Sequence, residues 1–218
     1  MTEAVNRRPL KTRRRAWAHT LARLFVRFGM TPNQMSLSSV VCAALAGGAY
    51  LSSDAFSGVV TRVFLNAVAL VAAAALIQLR LLANMLDGLM AVEEKGGKAP
   101  TGVIYNELPD RVADAIILVA AGYACGWAWL GWLAALLAAL TAYVRALGGS
   151  LGFDQDFSGP MAKPQRMFAM TVGTVAAACL PGRPILAMAL AIVAAGTAAT
   201  VVRRTVRLAR RLTQASHV

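Results

Sequence analysis

Long apolar segments, broken only at short polar stretches, constrain this chain more than any other feature. Six of them lie near residues 34–52, 61–92, 103–123, 127–147, 166–181 and 184–203. Each is on the scale of a bilayer-crossing helix of about 20 residues. Gly and Ser separate the first pair, Glu93 to Thr101 the second, and Gly126 the third. Gly148 to Pro164 is the longest internal loop, and Pro181-Gly182-Arg183-Pro184 forms a tight turn. Hydrophobic residues make up 58% of the 218, and charged residues only 15%, against roughly 25% in a soluble domain. Such a chain cannot hide its apolar surface in water. The sequence predicts an all-α integral membrane protein with six transmembrane helices preceded by an interfacial amphipathic helix.

The net charge of +12 is concentrated at the two ends. Arg7, Arg8, Lys11, Arg13, Arg14 and Arg15 crowd the first, and Arg203, Arg204, Arg207, Arg210 and Arg211 the second. Membrane proteins mark their cytoplasmic ends this way, and such runs attract anionic lipids, so nucleic acid is not the expected partner. Placing both termini inside also puts Lys95, Lys98, Lys163 and Arg166 inside, and leaves only Arg62 and Arg183 outside. Residues 10–28 mix arginines with Leu10, Trp17, Leu21, Leu24, Phe25 and Phe28 at helical spacing, which suits the interface. Thr31-Pro32-Asn33 then offers an N-cap followed by proline. Three parts are expected: a basic arm and interfacial helix over 1–30, a six-helix domain over 31–205, and a basic tail over 206–218. The first sixteen residues lack the apolar core of a cleaved signal peptide. Cys42, Cys125 and Cys179 are scattered, with no CxxC pair, and read as packing residues. His19 and His217 stand near the ends, against a histidine metal site.

Two segments break the apolar rule. Asn84 and Asp87 stand three apart on one helical face, and Glu107, Asp110 and Asp114 share a face of the next helix. A short loop joins the two helices, so antiparallel packing would place both sets at similar depth. Each intramembrane carboxylate costs roughly 2.5–3.5 kcal/mol on insertion scales, and four together repel. Arg80 and Arg111 compensate in part. Divalent cations compensate better, since Mg²⁺ and Mn²⁺ prefer carboxylate and amide oxygens, and two ions about 4 Å apart suit phosphoryl transfer. An ion or proton pathway and a salt-bridged packing seam remain open as alternatives. Gly88 and Ala91, beside Asp87, leave room next to the helix or serve close helix packing.

These residues resemble the CDP-alcohol phosphotransferase family, whose signature is D-x2-D-G-x2-A-R, a spacer, then G-x3-D-x3-D. Asp87-Gly88-x2-Ala91 matches the first half and Asp110-x3-Asp114 the second. Thr31-Pro32-Asn33-x2-Ser36, Tyr143-Val144-Arg145 and Gly159 to Arg166 resemble other family stretches, so the likeness covers about residues 20–205. The first Asp is replaced by Asn84, the motif Arg by Val92 and the motif Gly by Asn106, and the spacer over 93–105 is long for the family. Glu107 restores the fourth carboxylate.

The resemblance implies transfer of a phosphatidyl-type group from a CDP-linked lipid, such as CDP-diacylglycerol, to an alcohol, with release of CMP. It implies two Mg²⁺ or Mn²⁺ ions held by Asn84, Asp87, Asp110, Asp114 and Glu107, with Asp110 and Asp114 catalytic and Asp114 the general base. Thr31, Asn33, Gly88, Ala91, Arg80 and Arg111 would receive the CDP moiety. Arg145, Lys163 and Arg166 form a basic cluster whose bland explanation is membrane topology; as a built site it would suit an acceptor phosphate, as in glycerol 3-phosphate or an inositol phosphate. The family's homodimers, and a cytoplasmic active site in the cell membrane, are further expectations.

Overall fold

A capping box starts the first long helix. The Thr31 hydroxyl accepts the Gln34 N–H at 3.2 Å, and the Gln34 side chain accepts the Thr31 N–H at 2.9 Å. Pro32 sits at the first helical position, where no N–H is needed. The computed structural model describes residues 16–53, 59–93, 102–181 and 184–215. It contains α1 (Ala16–Arg27), α2 (Pro32–Ser52), α3 (Val59–Glu93), α4 (Gly102–Ala124), α5 (Ala128–Ser150), α6 (Lys163–Cys179) and α7 (Ile185–Ala215), with no strand among the described residues. The six expected apolar segments correspond to α2 through α7. The last runs on unbroken to Ala215, past the expected boundary at 205. The arginines of the N-terminal arm, Leu10, Lys95, Lys98, Arg183 and His217 lie outside the described residues, as do the side chains of Arg62, Val92 and Asn106.

Four helices are long and apolar enough to cross a membrane by length and composition: Pro32–Ser52, Val63–Ala91, Ala128–Ser150 and Ile185–Ala215. The chain is therefore a multi-pass membrane protein in its coarse architecture. The other two differ for a chemical reason. The α4 helix carries Glu107, Asp110, Arg111 and Asp114, and α6 has 17 residues with Lys163 and Arg166 at its start.

The six long helices close into a ring. Going round it, α2 packs on α3, α3 on α6, α6 on α7, α7 on α5, α5 on α4, and α4 back on α2. The sequence suggests α3 and α4 as direct neighbours. Instead α2 lies between them for most of their length, and they meet mainly where the charged residues sit. The reason is the narrowness of α2, whose buried face is Ser36, Ser39, Ala43, Ala46, Gly47 and Tyr50. Lipid offers no hydrophobic drive for helix pairing, so small residues that allow close approach decide the contacts. Between α4 and α5 the backbones touch. A Cβ on Gly131 would meet the Leu118 carbonyl oxygen at 2.7 Å, and one on Gly122 would meet Gly131 Cα at 2.8 Å. Polar pairs add specificity, with Tyr50 bonded to Thr174 across α2 and α6, and Gln78 donating to Thr171 at 2.7 Å across α3 and α6.

Outside, α5 shows Trp129, Trp132, Leu136, Leu140 and Tyr143, and α3 shows Phe64, Val68 and Val71. These are the surfaces expected to face acyl chains. The α1 helix lays Ala18 and Ala22 onto α3, against Leu86, Leu89 and Met90, and leaves Trp17 and Leu24 exposed. The loop after α5 is fastened to α7. Gly159 has φ of +132° and stands where a Cβ would meet Thr200, whose hydroxyl accepts the Met161 N–H at 3.0 Å.

Gly131→Ala is expected to destabilise the protein by about 1–3 kcal/mol through overpacking, read as a lower unfolding midpoint in micelles. Gly48→Ala, where an added Cβ meets nothing within 4 Å, should be neutral or gain up to about 1 kcal/mol from helix propensity. Equal midpoints for both variants would rule out backbone contact between α4 and α5.

Candidate active site

Arg80, Asn84, Asp87 and Ala91 recur every three or four residues along one face of α3. Glu107, Asp110 and Asp114 do the same on α4, where they meet Arg145 of α5 and Lys163 and Arg166 of α6, while Ser36 of α2 donates to Asp87. Asp114 is 1% exposed. Its Oδ1 lies 2.7 Å from Arg80 Nη2 and its Oδ2 accepts from Arg166 Nη2 at 2.6 Å. The same Arg80 nitrogen reaches Asp110 Oδ1 at 3.2 Å and the Asp110 carbonyl at 3.1 Å. Lys163 Nζ donates to both Asp110 Oδ2 and Asn84 Oδ1. Asp87 Oδ2 accepts from Ser36 at 2.6 Å and from Asn84 Nδ2 at 3.5 Å, a contact at the edge of hydrogen bonding. Toward the rim, Glu107 takes Arg145 at 2.5 Å and Arg111 at 3.2 Å.

This arrangement corrects one premise drawn from the sequence. In sequence only Arg80 and Arg111 stand near the four carboxylates. The fold brings up Arg145, Lys163 and Arg166 as well, so five cationic side chains face Asp87, Glu107, Asp110 and Asp114. The expected excess of negative charge is absent, because α5 and α6 supply the compensation from beyond the motif. Among the described residues no three His, Cys, Asp or Glu side chains converge to hold a metal ion. A smaller set does converge. Asn84 Oδ1 and Asp110 Oδ2 already grip one cation, the Lys163 ammonium. Asp87 is 3% exposed, and its Oδ1 has no hydrogen-bond partner. Two carboxylates and an amide are hard oxygen donors of the kind Mg²⁺ and Mn²⁺ take, and the unpartnered oxygen leaves a lone pair to give. These three residues fit a divalent cation. Each Asp114 oxygen faces an arginine, and Glu107 Oε2 takes two arginines.

The residues expected to receive a nucleotide are placed unevenly. Gly88 and Ala91 are half-buried on α3 beside Asp87. Thr31 is exposed, and its hydroxyl belongs to the capping box. Asn33 is half-buried in the first turn of α2. Arg80 is 0% exposed and committed to the two aspartates, so it presents no open face. Arg111 is partly exposed at the rim. Two residues escape sequence reasoning as site members. Ser36 was visible only as the last letter of the Thr31-Pro32-Asn33-x2-Ser36 pattern. Arg204 looks like one more topology arginine, yet it is buried and donates to Ser158 O at 2.9 Å and Thr141 O at 2.8 Å.

A shallow basic basin lies beside the carboxylates. Arg145, Arg204, Arg207 and Arg211 line it with Asp154, Asp156 and Gly148. Arg145 belongs to both regions, since it also pairs with Glu107 and stacks over Phe157 at 5.4 Å. Lys163 and Arg166, expected to join Arg145 in one anion cluster, turn toward Asp110 and Asp114 instead. Partial burial would raise the Asp156 pKa. The Ser158 hydroxyl and N–H, with Arg207 and Arg204, outweigh burial and hold it below the usual carboxylate range.

No protein-family model matches the chain, and no curated protein does either. Solved structures do. The chain superposes on phosphatidylinositol phosphate synthase of Mycobacterium tuberculosis in complex with manganese and citrate, with TM-score 0.68 and 19% identity, covering 88% of each chain. The same enzyme with CDP-DAG bound gives TM-score 0.66 and 20% identity over 88% of this chain and 92% of that one. Its apo form gives 0.61 and 21%, over 85% and 93%. The chain therefore has the fold of that synthase.

Burial separates the ion pairs by energy. Asp114→Ala strands two buried guanidinium groups and should cost about 3–5 kcal/mol. Glu107→Ala removes a carboxylate whose side chain is 42% exposed and should cost about 0–1 kcal/mol. Unfolding midpoints in micelles check this order, and a Glu107 variant as damaged as the Asp114 variant would reverse it.

Proposed function

We propose that the chain is a divergent CDP-alcohol phosphotransferase that moves a phosphatidyl-type group from a CDP-linked lipid to an alcohol and releases CMP. One observation carries this reading. The fold shared with the synthase brings Asn84 and Asp110 onto one bound cation, the Lys163 ammonium, with Asp87 beside Asn84. In this proposal those three residues hold Mg²⁺ or Mn²⁺, which when bound supplies positive charge to the diphosphate oxygens. Ser36 orients Asp87 through its hydrogen bond to Oδ2. Gly88 and Ala91 leave space for the nucleotide along α3, and Thr31, Asn33 and Arg111 flank it at the rim.

Asp114 is the proposed general base, with a condition set by its neighbours. Both its oxygens are occupied, so it accepts the acceptor's hydroxyl proton only as Arg166 turns toward a phosphate on that acceptor. Arg145, placed between Glu107 and the basin, is the proposed outer contact for that phosphate. This favours a phosphorylated acceptor such as glycerol 3-phosphate or an inositol phosphate, because guanidinium groups match phosphate geometry. The expected setting is the cell membrane, crossed six times, with α1 at the interface and the site and both termini cytoplasmic. The Lys and Arg distribution supports that orientation. A homodimer is part of the proposal through the family alone.

The test uses purified protein in micelles with CDP-diacylglycerol, Mn²⁺ or Mg²⁺ and a panel of free and phosphorylated alcohols, assayed for CMP. Release should require the metal and favour a phosphorylated acceptor. Asp110→Asn should lower turnover at least about 100-fold, the scale of losing one preorganised electrostatic contact. Arg145→Ala should raise KM for the acceptor more than KM for the CDP-lipid. No CMP with any acceptor would remove the proposal.

A further inference from the structure

We infer that this chain holds one divalent cation, at Asn84 Oδ1, Asp87 Oδ1 and Asp110 Oδ2, with Arg80 taking the place of a second ion and Lys163 competing for the first. The inference rests on the phosphotransferase reading and narrows it.

Arg80 fills the ground between Asp110 and Asp114. Its side chain is wholly buried, and a single nitrogen touches Asp110 Oδ1, Asp110 O and Asp114 Oδ1 at 3.2, 3.1 and 2.7 Å. It thus bridges two carboxylates on consecutive turns of α4. A metal bridging the same oxygens would sit against the guanidinium, and displacing Arg80 would strand a buried charge. Arg166 closes the remaining oxygen of Asp114. Glu107 stands apart at the half-exposed rim, where Arg111 and Arg145 both hold its Oε2.

The Lys163 ammonium sits between Asn84 and Asp110 and interacts electrostatically with Asp87. Asp87 Oδ1, buried and without a hydrogen-bond partner, is a donor oxygen the ammonium leaves unused, and a divalent ion takes six or more such oxygens. The ammonium and a divalent ion cannot share these oxygens. Ion binding therefore releases Lys163, whose flexible stem carries its charge toward incoming phosphate.

Mn²⁺ titration of full-length protein in micelles, followed by the electron paramagnetic resonance of free Mn²⁺, tests this directly. The wild type should bind one Mn²⁺ per chain. Lys163→Met should keep that number and tighten binding at least about tenfold by removing the competing cation. Asn84→Asp should also tighten it and stay at one while Arg80 is present, and Asn84→Asp with Arg80→Met should bind two. If the Arg80 variant does not fold, the wild-type and Asn84→Asp stoichiometries decide. Two ions in the wild type, or an unchanged dissociation constant in Lys163→Met, would overturn the inference. The CMP assay on the same preparation separates the two claims. Two ions with CMP release overturn the inference and leave the enzyme; one ion with no CMP for any acceptor does the reverse.

Discussion

Asp114 sits at the centre of the helix ring with a guanidinium on each carboxylate oxygen, one from α3 and one from α6. The consecutive helices α3 and α4 are tied there to the distant α6, and none of the three charges can leave without stranding the others in a low-dielectric interior. Everything nearer the rim is arranged around this knot. Asp110 shares Arg80, Lys163 shares Asp110 with Asn84, and Asn84 leans on Asp87. The strength and exposure of the pairs grade outward, from the enclosed Asp114 to the half-open Glu107. That gradient leaves the outer pairs freest to exchange partners with a ligand, and ties any release of the inner ones to a replacement charge.

Small residues make the knot possible. Helices must approach closely for short aspartates to meet arginines across them, and Ala, Ser and Gly on α2, with Gly122 against Gly131, permit it. Trp129, Trp132 and many leucines face outward, while the interior combines alanines and the buried charges with Ile77, Ile117, Leu118, Met170 and Leu190.

The membrane class, the number of long helices and most of their limits were legible in the sequence, because apolar run length maps directly onto bilayer thickness. The start of α2 could be read to the residue from Thr31-Pro32, since capping is a local interaction. The acidic faces of α3 and α4 could also be read, because helical spacing alone aligns Asn84 with Asp87 and Asp110 with Asp114. The end of α7 could not. The arginines that resemble a tail continue an uninterrupted helix, and Arg204 within it reaches back to the α5–α6 loop.

The sequence by itself determined that this chain is helical, belongs in a membrane and concentrates its acids on two helix faces. All three follow from short-range chemistry: hydropathy, periodicity and capping. Only the tertiary structure decided which cations meet those acids. Lys163 lies 53 residues from Asp110 and Arg166 lies 52 from Asp114, and spacing says nothing about pairs so far apart. The same ring placed α2 between α3 and α4. An apparent surplus of negative charge thereby became four carboxylates facing five cations, with Asp87 Oδ1 buried and left without a hydrogen-bond partner.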